Sequence, residues 1–485
     1  MSIAGAFSNA LSGLTASSRA AELVSSNVAN AMTEGYGARS LELSSRTLGG
    51  SGSGVRIDGV RRQVDEVLIG DRRLADAAIG YHGAQEQFLE GLMQVIGTPD
   101  QPGSLSGHMA QFEAALIEAA ARPESDARLS AVLNAAENLT GHLKGTSDHI
   151  QKVRLDADHA IARQVAALNA GLEDVRSINV KIQEARSRGV DPSGLMDLRQ
   201  MKIDELSPIV PLKQLPRENG MIALITTGGT LLLDGKPAQL GFTSVNTVVP
   251  EMTLAGGALS GLTINGLPVD VGGGRSLIAG GSLAGQFEVR DSVAVTAQQR
   301  IDGFARDLVE RFQDPALDPT RAPGGPGMFT DGGAAFVATD EIALSSRLAI
   351  NAAVDPVQGG ALWRLRDGLG AASQGNVGNA SLLNKLADAL GAARVPVSGG
   401  FSGVARASAG LASDLLSLVS SDKLQSETRL GFATAQHQTL RQMELSKGVD
   451  TDAEMQKLMQ IEQAYAANAR VISTADEMIQ TILAI

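Results

Sequence analysis

Both ends of the chain carry a narrow apolar stripe in which residues recur at alternating steps of four and three. This heptad spacing is typical of helices that pack against other helices. The stripe positions that we expect to form an assembly interface are Ile3, Phe7, Leu14, Val24, Val28, Leu458, Ile461, Tyr465, Asn468, Ile472, Ile479 and Ile482. One stripe alone would suit an ordinary core-facing helix. Two matching stripes instead predict a coiled coil that pairs the ends of the chain.

The C-terminal helix has a recognisable start. Lys447 and Gly448 predict the end of a preceding helix, and Thr451 with Glu454 has the spacing of a capping box, in which two side chains satisfy free backbone N–H groups. Asn468 falls on a d position of the stripe, where a buried amide fixes the register of paired helices. Alanines around it leave room for close approach by neighbouring subunits.

The interior alternates between helical and glycine-rich segments. Apolar spacing predicts long helices over 104–208, with a break at Gly189–Gly194, and further helices over 286–314 and 408–447. Residues 213–285 hold 15 glycines in 73 positions, together with hairpin signals, which predicts a β-rich segment. The glycine and serine run from Gly49 to Gly54 predicts a flexible connector.

These patterns predict a mainly α, elongated, multi-domain protein with a small inserted β domain. The predicted divisions are a terminal coiled-coil assembly domain (1–45 with 446–485), a helical bundle (46–212 with 286–445) and a β-rich outer domain (213–285). This nesting would place both termini at one end of the molecule.

Composition excludes several classes of chemistry. The 485 residues include no cysteine, which excludes disulfides, thiolate metal sites and a cysteine nucleophile. The formal charge of −12 and the 3% aromatic content argue against a nucleic-acid surface. Phosphate-loop, nucleophile-elbow and zinc-helix motifs are not found. We therefore expect no catalytic, cofactor-binding or metal-binding residues.

One group of residues could suggest a metal site: His142, His149 and His159, with Asp148, Asp156 and Asp158 nearby. The first two histidines are seven residues apart and could share a helix face. The gap of ten to His159 is poor for one compact site. We favour a polar, solvated helix face that includes all six residues.

Targeting patterns predict neither a cleaved secretion signal nor a membrane anchor. No basic residue precedes Arg19, and no apolar run reaches the length of about 18 residues that could span a bilayer. Taken alone, this indicates the cytoplasm, unless export uses a system without a cleaved signal.

The motifs at the two ends are specific. The segments 448–455 and 463–479, together with Ser12-Gly13-Leu14, Asn27–Asn30 and the Thr33-Glu34-Gly35-Tyr36 turn, resemble the signatures of bacterial flagellar rod, hook and hook-associated axial proteins. The interior segments 195–199 and 280–291 resemble the helical hook-associated members of that family. A hook or distal rod subunit should be mostly β in the middle and is the nearer alternative.

The resemblance implies a structural subunit at the hook–filament junction that is needed for filament assembly and motility. It implies that copies form a ring through their terminal helices, between the hook protein and a second junction protein of the FlgL type. It also implies type III export of the unfolded chain to the extracellular flagellum, with a cytoplasmic chaperone of the FlgN type on the C-terminal region. No nucleic-acid or membrane partner is implied. A carboxylate-dependent hydrolase is a distant alternative, for which the sequence isolates no acid–base pair.

Overall fold

The computed structural model describes residues 3–48, 51–271 and 276–484. Its helices are α1 (Ile3–Ala29), α2 (Glu66–Ile96), α3 (Leu105–Ala121), α4 (Asp126–Ser187), α5 (Ser193–Leu206), α6 (Gly281–Glu288), α7 (Ala294–Gln313), α8 (Leu344–Arg347), α9 (Arg364–Asp367), α10 (Ser381–Gly391), α11 (Ser408–Ser446) and α12 (Thr451–Leu483). Its strands are β1 (Ala38–Leu48), β2 (Ser51–Gln63), β3 (Leu212–Pro216), β4 (Ile222–Thr226), β5 (Leu231–Asp234), β6 (Lys236–Pro237), β7 (Leu240–Gly241), β8 (Leu262–Ile264), β9 (Leu267–Val269), β10 (Phe329–Asp331) and β11 (Leu348–Ile350). The predicted mainly α fold is confirmed.

Helix α4 determines the shape of the molecule. Its 62 residues extend over about 93 Å at about 1.5 Å per residue. The accessible surface is 23647 Å², whereas a compact protein of 50.2 kDa would expose about 17,000 Å². The excess surface is that of an elongated molecule, as the sequence predicted.

The first half of α4 lies in a helical core with α2, α3, α7 and α11. Three aromatic rings lie at the centre of this core, with centroids 4.9 to 5.9 Å apart, on Phe112, Phe312 and Phe329. Side-chain caps begin two of these helices: Asp65 accepts from the backbone N–H of Leu68, and Ser104 from that of Gly107. The predicted helices over 104–208, 286–314 and 408–447 are therefore confirmed, with a π-helical turn at Val289–Val293 between α6 and α7.

The second half of α4 packs against two antiparallel sheets, β3-β4-β5-β6 and β7-β8-β9. The predicted hairpin around Gly228-Gly229 is confirmed as β4 and β5. Asn169 and Asn179 of α4 bond to backbone atoms of the sheets, at Leu240 and Ile222. The strands thus share one hydrophobic core with α4, α5 and α6. The glycine cluster at 272–274, whose sequence favours a loop over a dinucleotide-binding motif, lies outside the described residues.

Two elements differ from the sequence prediction. The prediction of a flexible connector at Gly49–Gly54 is wrong for its described part. Residues 51–54 belong to strand β2, which pairs with β1 in a long antiparallel hairpin. The alternating apolar residues Leu41, Leu43, Val55 and Ile57 were the signal for these strands. Helix α2 was also not predicted as a separate 31-residue element.

Candidate assembly site

The terminal helices α1 and α12 pack against each other in antiparallel directions. Gly13 lies against the side chain of Asn468, so closely that a Cβ atom on Gly13 would fall 2.6 Å from the Asn468 Nδ2. Asn27 contacts Glu454 near the other end of the pair. Fourteen residues separate the two contacts on each helix, so one register accounts for both. The predicted pairing of the chain ends is confirmed.

Asn27 connects four segments at this end of the pair. Its Nδ2 donates to the Glu454 carboxylate at 3.0 Å and to the Arg39 carbonyl at 2.9 Å. Its Oδ1 accepts from the Arg39 N–H at 3.0 Å and from the Tyr36 hydroxyl at 2.9 Å. A side-chain amide offers two donors and two acceptor sites, and all four are used in a residue with no exposed surface. Asn27 therefore joins α1, the turn after it, β1 and α12.

The predicted capping box at the start of α12 is wrong. Asp450 is the N-cap, and its carboxylate accepts from the backbone N–H groups of Asp452 and Ala453. Glu454 is 4% exposed and is directed instead toward Asn27 and Lys457. Because Asp450 already satisfies two of the free N–H groups, Glu454 is available for the contact with α1.

The predicted interface residues fall into three groups by exposure. Val24 is buried. Half-buried positions are Ile3, Leu14, Val28, Leu458, Ile461, Asn468 and Ile472. Exposed positions are Phe7, Tyr465, Ile479 and Ile482. Within Thr451–Leu483, Glu454 and Ala475 are the only buried residues. Three of the seven stripe positions on α12 thus remain exposed, and the other four are only half-buried, after α1 has packed against it.

Asp197 of α5 fixes the β1–β2 hairpin to the helical part of the molecule. Its two carboxylate oxygens accept from Arg39 at 2.7 Å and from Arg62 at 2.6 Å, and the Gly37 N–H donates to the same group at 3.1 Å. The carboxylate and both guanidinium groups are mostly buried. Asp197 lies in the interior motif 195–199, but its ion pairs could not be predicted from that motif, because the two arginines are more than 130 residues away.

A second cluster joins α2, α5 and α11. The Arg72 guanidinium lies 2.6 to 2.7 Å from the carboxylates of Asp76, Asp204 and Glu444. Asp204 also pairs with the buried Arg73. Helix α5 thus holds the hairpin through Asp197, and Arg72 of α2 joins Asp204 of α5 to Glu444 near the end of α11, which leads into α12.

The six residues considered for a metal site do not come together. The His142 ring packs against that of His108 with centroids 5.2 Å apart, whereas the His159 ring bonds to the Val245 carbonyl. Asp158 is fully buried and paired with Arg290 at 2.6 Å. The expectation of a solvated face for all six residues is therefore wrong, because Asp158 is buried and His142 is partly buried. Burial, and next the neighbouring His108, lower the pKa of His142 to about 4.

A separate acidic cluster contains Glu86, Glu90 and Glu427. The Lys423 ammonium group pairs with two of these carboxylates, at 2.6 Å to Glu90 and 2.9 Å to Glu427. One ammonium group thus offsets part of their charge, and solvent-accessible carboxylates alone give no reason to place a metal ion there.

None of the helices in the described ranges has the length and apolar character needed to cross a membrane.

Models of three protein families match the two ends of the chain and its interior. The model of the flagella basal body rod protein matches residues 7–36, and that of the flagellar basal body rod FlgEFG protein C-terminal region matches 443–485. The model of the flagellar hook-associated protein FlgK helical domain matches 89–316. The two terminal matches fall on α1 and α12, and the interior match covers α3 to α7.

Relatives match over different extents. Flagellar hook-associated protein 1 of Bacillus subtilis (strain 168) is 24% identical over 97% of this chain and 96% of its own length. The protein of the same name from Salmonella typhimurium is 27% identical over 48% of this chain and 43% of its own length. The protein of that name from Escherichia coli (strain K12) is 24% identical over 52% of this chain and 51% of its own length.

Paired terminal helices with rod-type signatures define an axial protein of the bacterial flagellum. Within this class, the chain belongs to the family of flagellar hook-associated protein FlgK, because its helical interior matches the FlgK domain and a relative of that name aligns along almost its whole length. Members of this family are structural proteins, so the hydrolase alternative is discarded. The mainly helical interior also discards the hook and distal rod alternatives.

Proposed function

We propose that this chain is the adaptor at the hook–filament junction and that it polymerises into a ring through α1 and α12. The observation that carries this proposal is the open apolar stripe of α12. Tyr465, Ile479 and Ile482 remain 39 to 60% exposed on a helix whose signature is shared with flagellar rod proteins. An exposed apolar stripe of this length is costly in water and favours contact with further helices.

The proposed arrangement assigns a task to each segment. Residues 1–45 and 446–485 form the assembly domain, 46–212 and 286–445 the helical bundle, and 213–285 the β-rich outer part. The hook protein lies on one side of the ring and a second junction protein of the FlgL type on the other. Ion pairs at Asp197 and Arg72 support this assignment, because they give the assembly helices a defined position on the bundle.

The exposed stripe also affects the chain before it assembles. A chain with exposed apolar helices needs protection before assembly, and we propose that a chaperone of the FlgN type binds the C-terminal region in the cytoplasm. The chain then leaves unfolded through the flagellar type III apparatus and is extracellular in its final place. The absence of cysteine is compatible with this route, because no disulfide has to form or break.

Deletion of the coding sequence tests the proposal. Electron microscopy of the deletion strain should show hooks of normal length without filaments, and filament subunits should accumulate in the medium. Immunogold label against the restored chain should lie at the hook–filament boundary. Normal filaments in the deletion strain, or label along the rod or the whole filament, would contradict the junction role.

A further inference from the structure

The outward face of α11 carries a second uncharged stripe, separate from the terminal helices. We define the α11 stripe as Leu424, Thr428, Phe432, Ala435, Thr439 and Met443. At about 100° per residue these positions fall within a sector about 100° wide, so they share one side of the helix. All six are exposed, with Phe432 at 74% and Leu424 at 64%.

This stripe has no partner within the described chain. Helix α11 packs on α2 through the opposite side, where Ser426 and Ala433 are buried. Gly431 lies beside the stripe, and a Cβ there would meet no atom within 4 Å. Glycine in the middle of an exposed helix lowers stability by about 1 kcal/mol relative to alanine. Packing within the described chain therefore does not account for the glycine.

Charge indicates which partner the stripe fits. The chain has a formal charge of −12, so two copies repel each other unless the contact surfaces carry little negative charge. Only three of the fifteen exposed residues from Ser421 to Met443 are charged: Glu427, Arg429 and Arg441. Glu427 is paired with Lys423, and all three lie outside the stripe sector. The α11 face is thus an uncharged surface on an acidic protein.

We infer that the α11 stripe is the lateral contact with a second copy of this chain in the assembled ring. The inference rests on the proposed function, because lateral neighbours exist only if copies form a ring. Helix α11 leads directly into α12, so the two exposed stripes lie on consecutive helices of the chain. Phe432 is the side chain that would be buried in the neighbouring copy.

Photocrosslinking in swimming cells tests the contact. The chain carries p-benzoylphenylalanine in place of Phe432, and a control chain carries it in place of Val357, which is 94% exposed on another surface. Irradiated flagella should give a covalent dimer of this chain for the Phe432 position and none for Val357. Crosslinks from position 432 to a different axial protein, no crosslink, or equal dimer yield from both positions would overturn the inference. Because filaments must be present for the cells to swim, each of these results leaves the junction role intact.

Substitution provides a second readout. Leu424→Asp with Phe432→Asp should weaken the ring, so that filaments detach at lower shear than in cells with Val357→Asp. Circular dichroism of the purified variant should match that of the unaltered chain, because both side chains are exposed. A folded double variant whose filaments resist shear as well as the control would also overturn the inference.

Discussion

The Asn27 amide donates a hydrogen bond to the Glu454 carboxylate across 427 positions of sequence, and both side chains are buried. This contact joins the N-terminal signature of the family to the C-terminal one. It gives a physical reason for an asparagine in the last turn of the first helix and a glutamate in the first turn of the last. Replacing either residue leaves a buried polar group without its partner.

Glu454→Ala should destabilise the terminal helix pair by about 1–3 kcal/mol, because the Asn27 donor would lose its acceptor in a buried place. Thr451→Ala is the matched control and should have little effect, because Asp450 rather than Thr451 caps α12. Hydrogen exchange of residues 3–29 and 451–483 measures both variants. Equal loss of protection in the two variants would indicate that Thr451 does cap α12 and that the Asn27–Glu454 contact adds no stability of its own.

Gly13→Ala should disturb the same pair at its other end, because the added methyl group would lie 2.6 Å from the Asn468 Nδ2. Asn468→Ala in the Gly13→Ala background should recover part of the loss, since the smaller side chain makes room. A double-mutant cycle on exchange rates gives the coupling between the two positions. Additive effects of the two substitutions would show that they are not in contact.

Asp197→Asn should release the β1–β2 hairpin from α5. Arg39 and Arg62 would lose their common carboxylate, at a cost of up to about 3 kcal/mol, the low end for buried pairs because the groups keep some solvent contact. Limited proteolysis should then cut within 38–63 while the helical bundle stays intact. Asp58→Asn, in an exposed pair with Arg56, is the control and should leave the cleavage pattern unchanged. Cleavage of both variants at one rate would speak against the Asp197 anchor.

Stability should decrease in mild acid because of His142. Its pKa is lowered from 6.5 to about 4, first by burial and then by His108. The unfolded chain therefore binds more protons between these values, and the free energy of unfolding falls as the pH drops from about 6.5 toward about 4. Burial also lowers the pKa of His82, His108 and His149, which contribute in the same direction.

Urea unfolding at several pH values measures this dependence, and His142→Gln should make it shallower. The His142 imidazole signal, followed by NMR, should titrate well below that of an unfolded peptide. A normal pKa, or an unchanged slope in the variant, would contradict the buried neutral histidine.

The terminal helices should be less protected from exchange than the bundle in the isolated subunit. A single helix pair with one open face has little burial to stabilise it away from an assembly. Residues 455–482 should exchange faster than α3, α4 and α7 at low protein concentration, while keeping enough protection for the effect of Glu454→Ala to be measured. Strong protection of 455–482 in the monomer would show that the pair needs no neighbours.

Local periodicity predicted much of this structure, and contacts between distant residues could not be predicted. The stripes of α1 and α12, the long helices and the β4–β5 hairpin depend on spacing within one segment, which a sequence shows directly. Asp197 with Arg62, and Asn27 with Glu454, depend on which segments the fold brings together. Glu454 illustrates this limit. Its spacing from Thr451 fits a local capping box, but Asp450 caps the helix instead. The Glu454 carboxylate therefore binds Asn27, near the other end of the chain.

The assembly role of the α12 stripe is tested most directly by Tyr465→Asp, Ile479→Asp and Ile482→Asp together in a motile cell. These side chains are exposed in the subunit, so the substitutions should spare its fold and change only contacts with neighbours. A control with Val337→Asp, Val357→Asp and Val377→Asp places the same charge on exposed valines outside the terminal helices. We expect the stripe variant to be exported into the medium and to leave hooks without filaments, while control cells swim. Normal filaments and swimming in cells with the stripe variant would contradict assembly through α12.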